Sequence, residues 1–412
     1  AYGRSVLIAT TPFDQETLWR RYVEGDREAV APRLAREALD DHVLRLVASR
    51  FCRDRDALLH FLEHTLTGQW IWAEQYTIDE IAFRIQSAVN RCADVGVLLV
   101  GETGRLEATP FGLAIASKGI TIDTARQIEH WVGASETRAW RPLDLIFAVA
   151  TTPDGRMPQV MLTAREYERA GYPAMLKQRT RDDELEADVP INRIRNCNLQ
   201  PFFEEVRAIK IALLLEEWIA LRPLRELEEE YNTMAGQVLS AADQVAWLVD
   251  ATAAIATALG ARQAFIEEIA RLAECVQQGV GEELLPLARL TLPGLTRTTL
   301  GALHAHGWHT PEGLCAAPAA ALAQWLPKET AAKLKTWAGQ QTVPAVREIE
   351  RSAPPPVLVV DENRPGEILI DGVAIPLQDK QYRLIHLLAA HPGACVPYDR
   401  VYEALWGKEV VV

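Results

Sequence analysis

A segment rich in alanine and valine carries residues that are suited to contact a flat ring. Gln244 and Ser240 lie three and seven residues before Trp247, so a helix would bring all three to one face. The face of an indole ring can stack on any nucleobase, whatever the base sequence. By periodicity alone, a tryptophan in so apolar a segment is more typical of a helical core. The residues therefore leave two interpretations open, a stacking face and a core helix.

The turn LPGLT at 292–296 is the second place where residue types and spacing indicate chemistry. Gly294 allows the backbone to turn sharply and to point N–H groups at one phosphate oxygen beside a helix N-terminus. Thr296 and Arg297 follow at once. Contacts of this kind do not depend on base sequence. The turn has the form of a helix–hairpin–helix and predicts a phosphate contact through these three residues.

Several other kinds of chemistry find no support in the sequence. It has no G-x-x-x-x-G-K-[ST] run and no D-E-x-H box, so we expect this chain alone to hydrolyse no ATP and to hold no cofactor. No catalytic residue is assigned. His304, His306 and His309 are close in sequence, but no cysteine or carboxylate completes a metal site. The six cysteines form no C-x-x-C pair and predict buried free thiols in a reducing compartment.

Three long helical patterns must position these groups. Apolar residues recur at steps of three and four over about 208–220, 238–258 and 264–280, which indicates amphipathic helices with one buried face. Gly260, Gly279 and Gly281 fall near the predicted ends, where C-caps are expected. The candidate stacking residues lie on the second of these helices.

The N-terminal third has a different pattern. A short apolar run at 5–10 predicts a buried strand, and amphipathic helices are predicted at about 34–49, 55–66 and 78–93. Short strands at 97–100 and 105–108 flank a glycine-containing turn. Three helices followed by a two-stranded wing are typical of a winged-helix domain.

Composition limits the class of protein. The chain has 412 residues, enough for three or four domains. Its net charge of −13 argues against a surface coated with basic groups, although a nucleic-acid channel needs only local positive charge and aromatic platforms. No signal peptide and no uninterrupted apolar run long enough to span a bilayer are present. We therefore expect a cytoplasmic protein without a membrane segment.

The order of motifs resembles the ratchet domain of Ski2-like superfamily 2 helicases, the branch that acts on DNA. The motifs are LLLEEWI at 213–219, EEY at 229–231, AWL at 246–248 and GVGEELLPL at 279–287. The resemblance implies that Trp247, Gln244 and Ser240 face a DNA channel, with Trp247 at the position of the family's stacking tryptophan. The family usually has a basic residue at the position of Ser240.

The resemblance also implies a mainly α, multidomain fold. The C-terminal segment 370–407 is similar to the front half of an OmpR-type winged helix. The expected parts are the end of the second RecA-like motor domain with its exit segment at 1–30, a winged helix at 31–120, a helical ratchet domain at 121–288, a helix–hairpin–helix at 289–340, a linker at 341–356 and a partial α/β winged helix at 357–412.

By this resemblance the chain is the C-terminal, non-motor part of an ATP-dependent 3′-to-5′ DNA helicase. ATP and magnesium would bind only to the absent motor, which the match at 1–30 implies lies before Ala1 and in cis. Single-stranded or forked DNA is the expected partner, and the C-terminal winged helix is a candidate site for a protein partner. Two alternatives stay open: a protein-interaction or regulatory module, and an RNA-acting relative. Salt-dependent binding of single strands separates the first alternative from a helicase.

Overall fold

The computed structural model describes residues 6–25, 32–35, 37–157, 159–181, 190–196, 200–342, 358–360, 366–370, 373–390, 396, 400–401 and 404–405. The chain divides into two units, Ala1–Gln340 and Gln341–Val412. Among the described residues there are two small sheets, and helices form most of the structure. The prediction of a mainly α, multidomain fold is confirmed.

The N-terminal part of the first unit contains helices and one hairpin. Its elements are α1 (Pro12–Tyr22), α2 (Leu39–Ala48), α3 (Arg55–Glu63), a π-helix (Gly68–Trp72), α4 (Ala73–Gln75), α5 (Ile78–Asp94), β1 (Leu98–Val100), β2 (Leu106–Ala108), α6 (Pro110–Lys118) and α7 (Ile122–Ser135). The two strands are antiparallel, with Leu98 opposite Ala108. The three predicted helices and the predicted hairpin are present; their assignment to a winged-helix domain stays a prediction.

The first predicted strand is not observed. Residues 6–9 have no regular structure, and Ile8 is 82% exposed. A strand is stable only beside a hydrogen-bonding neighbour, and the described residues offer none there. Helix α1 follows and buries none of its residues, although Thr11 caps it by accepting from the N–H of Asp14 at 3.1 Å. This prediction of a buried strand was therefore wrong for the described residues.

A helical bundle forms the centre of the first unit. Its helices are α8 (Pro142–Ala150), α9 (Ala164–Tyr167), α10 (Tyr172–Arg179), α11 (Pro190–Asn196), α12 (Phe203–Ile219), α13 (Leu224–Glu230), α14 (Ala235–Ala258) and α15 (Gln263–Gln278). Helices α12, α14 and α15 confirm the three predicted helical patterns. Helix α12 begins earlier than predicted because Glu205 reaches back to accept from the N–H of Phe202 at 2.7 Å.

Gly279 ends α15 in the left-handed conformation, with φ of +65°. An added Cβ there would lie 2.2 Å from the ring of Trp218, so glycine is required both by the backbone and by the close approach of the indole. Gly281 has a different role from the one predicted, since it precedes the 3₁₀ turn Glu282–Leu284. The predicted C-cap is therefore confirmed at Gly279.

A second hydrophobic core lies beneath the last helices of the first unit. These are α16 (Leu285–Ala288), α17 (Arg297–Ala305), α18 (Pro311–Ala316), α19 (Ala319–Leu322) and α20 (Lys328–Thr342). Leucines from every one of these elements are buried together. The turn at 292–296 connects α16 to α17, so the glycine turn is held between two elements of one core.

The second unit contains a small sheet and a helix. Strands β3 (Leu358–Val359), β4 (Glu367–Ile370) and β5 (Val373–Pro376) form an antiparallel sheet in that order, and α21 spans Asp379–Ala389. Hydrogen-bonded pairing of β4 with β5 confirms the predicted hairpin, whose DG turn at 371–372 lies outside the described residues. Of the predicted linker at 341–356, residues 341 and 342 belong to the end of α20, and the rest lies outside the described residues, as does most of the predicted helix at about 398–405.

Three cysteines behave as predicted and one does not. Cys52, Cys92 and Cys275 are buried free thiols, and burial raises the pKa of Cys92 and of Cys275 to about 12. The thiol of Cys315 is likewise outside any disulfide, but the residue is exposed, because it lies on the outer face of α18, which buries only Leu314. The remaining two cysteines lie outside the described residues.

Helix α14 is long and apolar enough to cross a membrane by length and composition. Most of it is buried inside the fold, as expected for the core helix of a globular protein. Its apolar character is therefore explained by packing against α6, α7, α8 and α15.

Candidate nucleic-acid interface

Helix α14 carries the first group of candidate residues. It begins where Gln237 Oε1 accepts from the backbone N–H of Met234 at 3.0 Å, and alanine and other helix formers extend it. Its buried face includes Val238, Val245 and Val249. The polar residues lie on the opposite side of the helix, and that side carries the candidate site.

Ser240 lies on the exposed side of α14, and Gln244 and Trp247 lie at its half-buried edge. Asp243 is exposed beside them, and Asp250 is half-buried one turn further on. The three predicted residues therefore share a face, but the charged neighbours on that face are acidic. An acidic face weakens phosphate binding, so any affinity for a single strand at this helix would come from its aromatic ring.

The indole of Trp247 has a fixed orientation. Its Nε1–H donates to the backbone carbonyl of Lys118 at 2.7 Å, where α6 ends. The ring is half-buried and packs against the main core. One edge of the ring is therefore tied to the N-terminal helices, and the half-buried ring keeps some surface accessible to solvent.

Gln244 is held in the same way. Its Nε2–H donates at 2.7 Å to the carbonyl of Asp154, in the 3₁₀ turn Pro153–Gly155. The Asp154 carboxylate accepts from both the N–H and the hydroxyl of Thr121, each at 2.7 Å. Gln244 therefore joins α14 to the turn of Asp154, Asp154 joins that turn to the start of α7, and the Gln244 amide is engaged within the protein.

The sequence did not point to two charged residues at this site. Lys118 Nζ lies 2.5 Å from Asp250 Oδ2, and both side chains are partly exposed. The pair joins the end of α6 to α14 one turn beyond Trp247. Because the partners are far apart along the chain, neither periodicity nor a local motif could have revealed them.

The turn at 292–296 is built around Gly294, which has φ of +80°. An added Cβ there would lie 2.6 Å from Cδ of Pro327, so the turn packs tightly against the start of α20. Thr299 Oγ1 donates to the carbonyl of Gly294 at 3.0 Å. The turn is therefore held from two sides, and Gly294 itself is exposed.

Thr296 is the N-cap of α17. Its hydroxyl oxygen accepts from the N–H of Thr299 at 3.4 Å, and the residue is exposed. The hydroxyl satisfies one N–H of the first turn of the helix. The backbone N–H groups of Gly294 and Thr296, which precede the helix, are the ones that could meet a phosphate.

The side chain of Arg297 points into the protein. Its Nε–H donates to the carbonyl of Gly279 at 2.7 Å, and Nη2 donates to those of Trp218 at 2.7 Å and Arg222 at 2.9 Å. The guanidinium carbon lies 3.9 Å from the centre of the Trp218 ring. Burial lowers the pKa of Arg297 to about 10, so it stays charged at neutral pH. The expectation of a phosphate contact is therefore revised, because these donors brace α17 against α12 and α15.

The three histidines near the turn are arranged around other groups. His304 Nε2 lies 3.5 Å from Glu283 Oε1, and its ring is 4.6 Å from that of His309. Among the described residues, no three histidine, cysteine or carboxylate side chains are grouped as metal ligands. His306 contacts tryptophan rings instead.

Comparison with known proteins gives one family and several relatives. Residues 143–279 match the family described as "Archaeal helicase, domain 4". The chain is 25% identical over 325 residues to the ATP-dependent DNA helicase Hel308 of Methanocella arvoryzae, which covers 78% of this chain and 41% of that protein. It is 25% identical over 314 residues to Hel308 of Pyrococcus horikoshii, covering 76% and 41%. It is 26% identical over 317 residues to Hel308 of Thermococcus kodakarensis, covering 76% and 26%.

The chain thus spans less than half the length of these relatives. The matches confirm the resemblance to the C-terminal, non-motor region of a Ski2-like DNA helicase. The matched family segment contains α8 to α15 nearly in full, and with them Trp247 and its neighbours.

Proposed function

We propose that this chain is the C-terminal, non-motor part of an ATP-dependent DNA helicase, in which it forms the channel and ratchet for single-stranded DNA. The observation that carries the proposal is the position of Trp247, half-buried at the edge of the exposed face of α14 with its N–H held by Lys118. A ring whose in-plane edge is fixed and whose surface is partly accessible is suited to stack on bases without reading them.

In this proposal the ATP-dependent reaction belongs to the motor domains and not to this chain. ATP and magnesium are proposed to bind to motor domains in cis, and translocation 3′ to 5′ is their property. The proposed location is the cytoplasm. The domain boundaries at 31–120, 121–288 and 289–340 belong to this proposal, as does a protein partner for the segment 357–412.

Within the channel, each residue has a distinct proposed role. Trp247 stacks on a base, worth about 1–3 kcal/mol per base. Ser240 lies seven residues earlier on the same helix and contributes a neutral surface along which the strand slides. Gln244 holds α14 against the turn that contains Asp154. Gly294 and Thr296 offer backbone N–H groups to one phosphate, while Arg297 braces the turn behind them.

The proposal is tested by fluorescence anisotropy with a labelled single-stranded oligonucleotide. The full chain, its Trp247→Ala variant and a Trp70→Ala control are titrated at low salt and then at rising salt. Trp70 is 57% exposed and lies in the π-helix, apart from α14. We expect salt-dependent binding that weakens roughly 5- to 150-fold in Trp247→Ala and is unchanged in the control.

The same assay separates the alternatives. Failure of the full chain to bind at low salt, and again after motor domains are restored, favours a protein-interaction module. Tighter binding of an RNA oligonucleotide than of the DNA oligonucleotide of the same sequence favours an RNA-acting protein. Circular dichroism of each variant shows whether the fold is retained.

A further inference from the structure

A second exposed tryptophan lies beside the turn at 292–296. Trp325 is 45% exposed, and within residues 260–340, all of which the structure describes, it is the one exposed large apolar side chain. Its neighbours in sequence include an exposed glutamine, Gln324, just before it and an exposed lysine, Lys328, shortly after it.

The position of Trp325 is explained by a structural repeat. Two turns each lead into a helix: the carbonyl of Thr296 accepts from the N–H of Leu300 at 2.8 Å, and that of Pro327 from the N–H of Ala331 at 2.9 Å. The helices share a register of buried residues, which are Leu303 and Thr299 in α17 and Leu334 and Thr330 in α20. When the two segments are aligned on these residues, Trp325 corresponds to Gly294 of the first turn.

The two turns abut one another. The Cβ position of Gly294 is 2.6 Å from Cδ of Pro327, and Thr330 Oγ1 donates to the carbonyl of Pro293 at 2.7 Å. Trp325 lies two residues before Pro327. The exposed indole is therefore carried by the element that packs directly on the glycine turn.

The indole is part of a group of three rings. The ring of His306 lies 4.6 Å from that of Trp308, at an interplanar angle of 24°, and 6.1 Å from that of Trp325, at 53°. His306 Nδ1 is 2.8 Å from the carbonyl of Ala302, which can only accept, so Nδ1 carries the proton. Trp308 is half-buried against the second core. Trp308 thus fixes the group of rings against the second core, while Trp325 is exposed to solvent.

We propose that Trp325 and His306 form a second base-stacking site for single-stranded DNA, beside the turn of Gly294. The inference rests on the proposed function, since the ligand is the same strand. Backbone N–H groups of one turn would hold a phosphate while the aromatic rings carried by the other turn stack on a neighbouring base. Stacking is independent of base sequence, as a strand in transit requires. The site acts in addition to Trp247, which lies on a different helix.

The test uses the full chain and two oligonucleotides of equal length, one with bases and one fully abasic. Binding of wild type, Trp325→Ala, Trp325→Phe and the Trp70→Ala control is measured by anisotropy. We expect Trp325→Ala to bind the normal strand roughly 5- to 150-fold more weakly, Trp325→Phe to be intermediate, and the control to match wild type. On the abasic strand, wild type and Trp325→Ala should bind alike.

Three outcomes would overturn the inference. If Trp325→Ala binds the normal strand as tightly as wild type while Trp247→Ala binds it more weakly, the second site is ruled out and the proposed function stands. An equal loss on both strands shows a structural effect of the substitution and no stacking. Absence of any binding by wild type at low salt, and again after motor domains are restored, removes both proposals together. Photocrosslinking of an iodouracil-containing strand gives a direct check, since the crosslinked peptide should contain Trp325 or His306.

Discussion

The indole N–H of Trp247 donates to the backbone carbonyl of Lys118, a residue 129 positions earlier in the chain, at 2.7 Å. The bond joins α14 to the end of α6, and the ion pair of Lys118 with Asp250 lies one turn away. The helix that carries the proposed stacking ring is therefore oriented by the N-terminal helices. A change at the end of α6 should alter the position of the ring without touching the strand.

Replacing Trp247 by phenylalanine separates the two roles of this residue. Trp247→Phe keeps an aromatic face but leaves the Lys118 carbonyl without the indole donor. We expect a loss of about 0.5–1.5 kcal/mol in the free energy of unfolding, the usual net value of one hydrogen bond. Strand affinity should fall less than in Trp247→Ala. Urea unfolding and anisotropy measure the two quantities, and equal affinity of both variants would argue against stacking.

An ion pair between a buried lysine and a partly buried glutamate predicts how stability depends on pH. Lys210 is fully buried, and its Nζ lies 2.9 Å from Glu166 Oε1 and 2.9 Å from the carbonyl of Met161. Burial raises the pKa of Glu166, but hydrogen bonds from Thr163 and Lys210 outweigh it, so the pKa lies below its ordinary value. The carboxylate therefore contributes stability above the unfolded pKa, and this contribution is lost as pH falls through the folded pKa.

Comparison of wild type with Glu166→Gln tests this dependence. The variant leaves the Lys210 ammonium buried without its counter-charge, so we expect a loss of about 3–5 kcal/mol at neutral pH. The difference between the two proteins should narrow as the pH falls below about 4.5. Urea unfolding from pH 3 to pH 7 measures it. A constant difference across this range would show that the charge of Glu166 does not matter.

Two glycines allow backbone strain to be separated from steric contact. Gly294 and Gly307 both have positive φ, +80° and +71°, but an added Cβ at Gly307 meets nothing within 4 Å. Gly307→Ala should therefore cost about 1–2 kcal/mol from the backbone alone. Gly294→Ala should cost more, because the Cβ also collides with Pro327. Thermal and urea unfolding give both values, and equal losses would mean that the turn shifts freely away from α20.

Local signals made much of this fold predictable. Gly279 was predicted as a C-cap because a glycine after an amphipathic run ends a helix, and the structure confirms it. The hairpin of β4 and β5 was predicted from alternating apolar residues around a DG pair. In each case the residues that determine the element are close together in sequence.

The candidate site was less predictable because its contacts are distant in sequence. Trp247 was recognised by resemblance, but its partner Lys118 is far away and on another helix. Arg297 was assigned to phosphate because it follows the turn. Its actual acceptors are distant in sequence: Trp218 in α12, Arg222 just after α12, and Gly279 at the end of α15. Cys315 was expected to be buried, but on a short helix that buries one residue, apolar composition does not decide which face is covered.

Arg297 offers the sharpest test of how the second core is held to the helical bundle. In Arg297→Ala, three carbonyls lose their donors and the Trp218 ring loses the guanidinium above it. We expect a loss of about 2–3 kcal/mol in the free energy of unfolding. Arg297→Lys keeps the positive charge but lacks the planar guanidinium, so it should recover only part of the lost free energy of unfolding. The control is Arg225→Ala, whose side chain is 89% exposed and should change stability by less than about 0.5 kcal/mol.

Strand binding by the same variants then distinguishes bracing from direct contact. If Arg297 only braces the turn, binding by Arg297→Lys should follow the recovered stability, and the slope of affinity against salt concentration should match that of wild type. A phosphate contact by the guanidinium would instead lower that slope by about one in Arg297→Ala. The inward hydrogen bonds of Arg297 lead us to expect an unchanged slope.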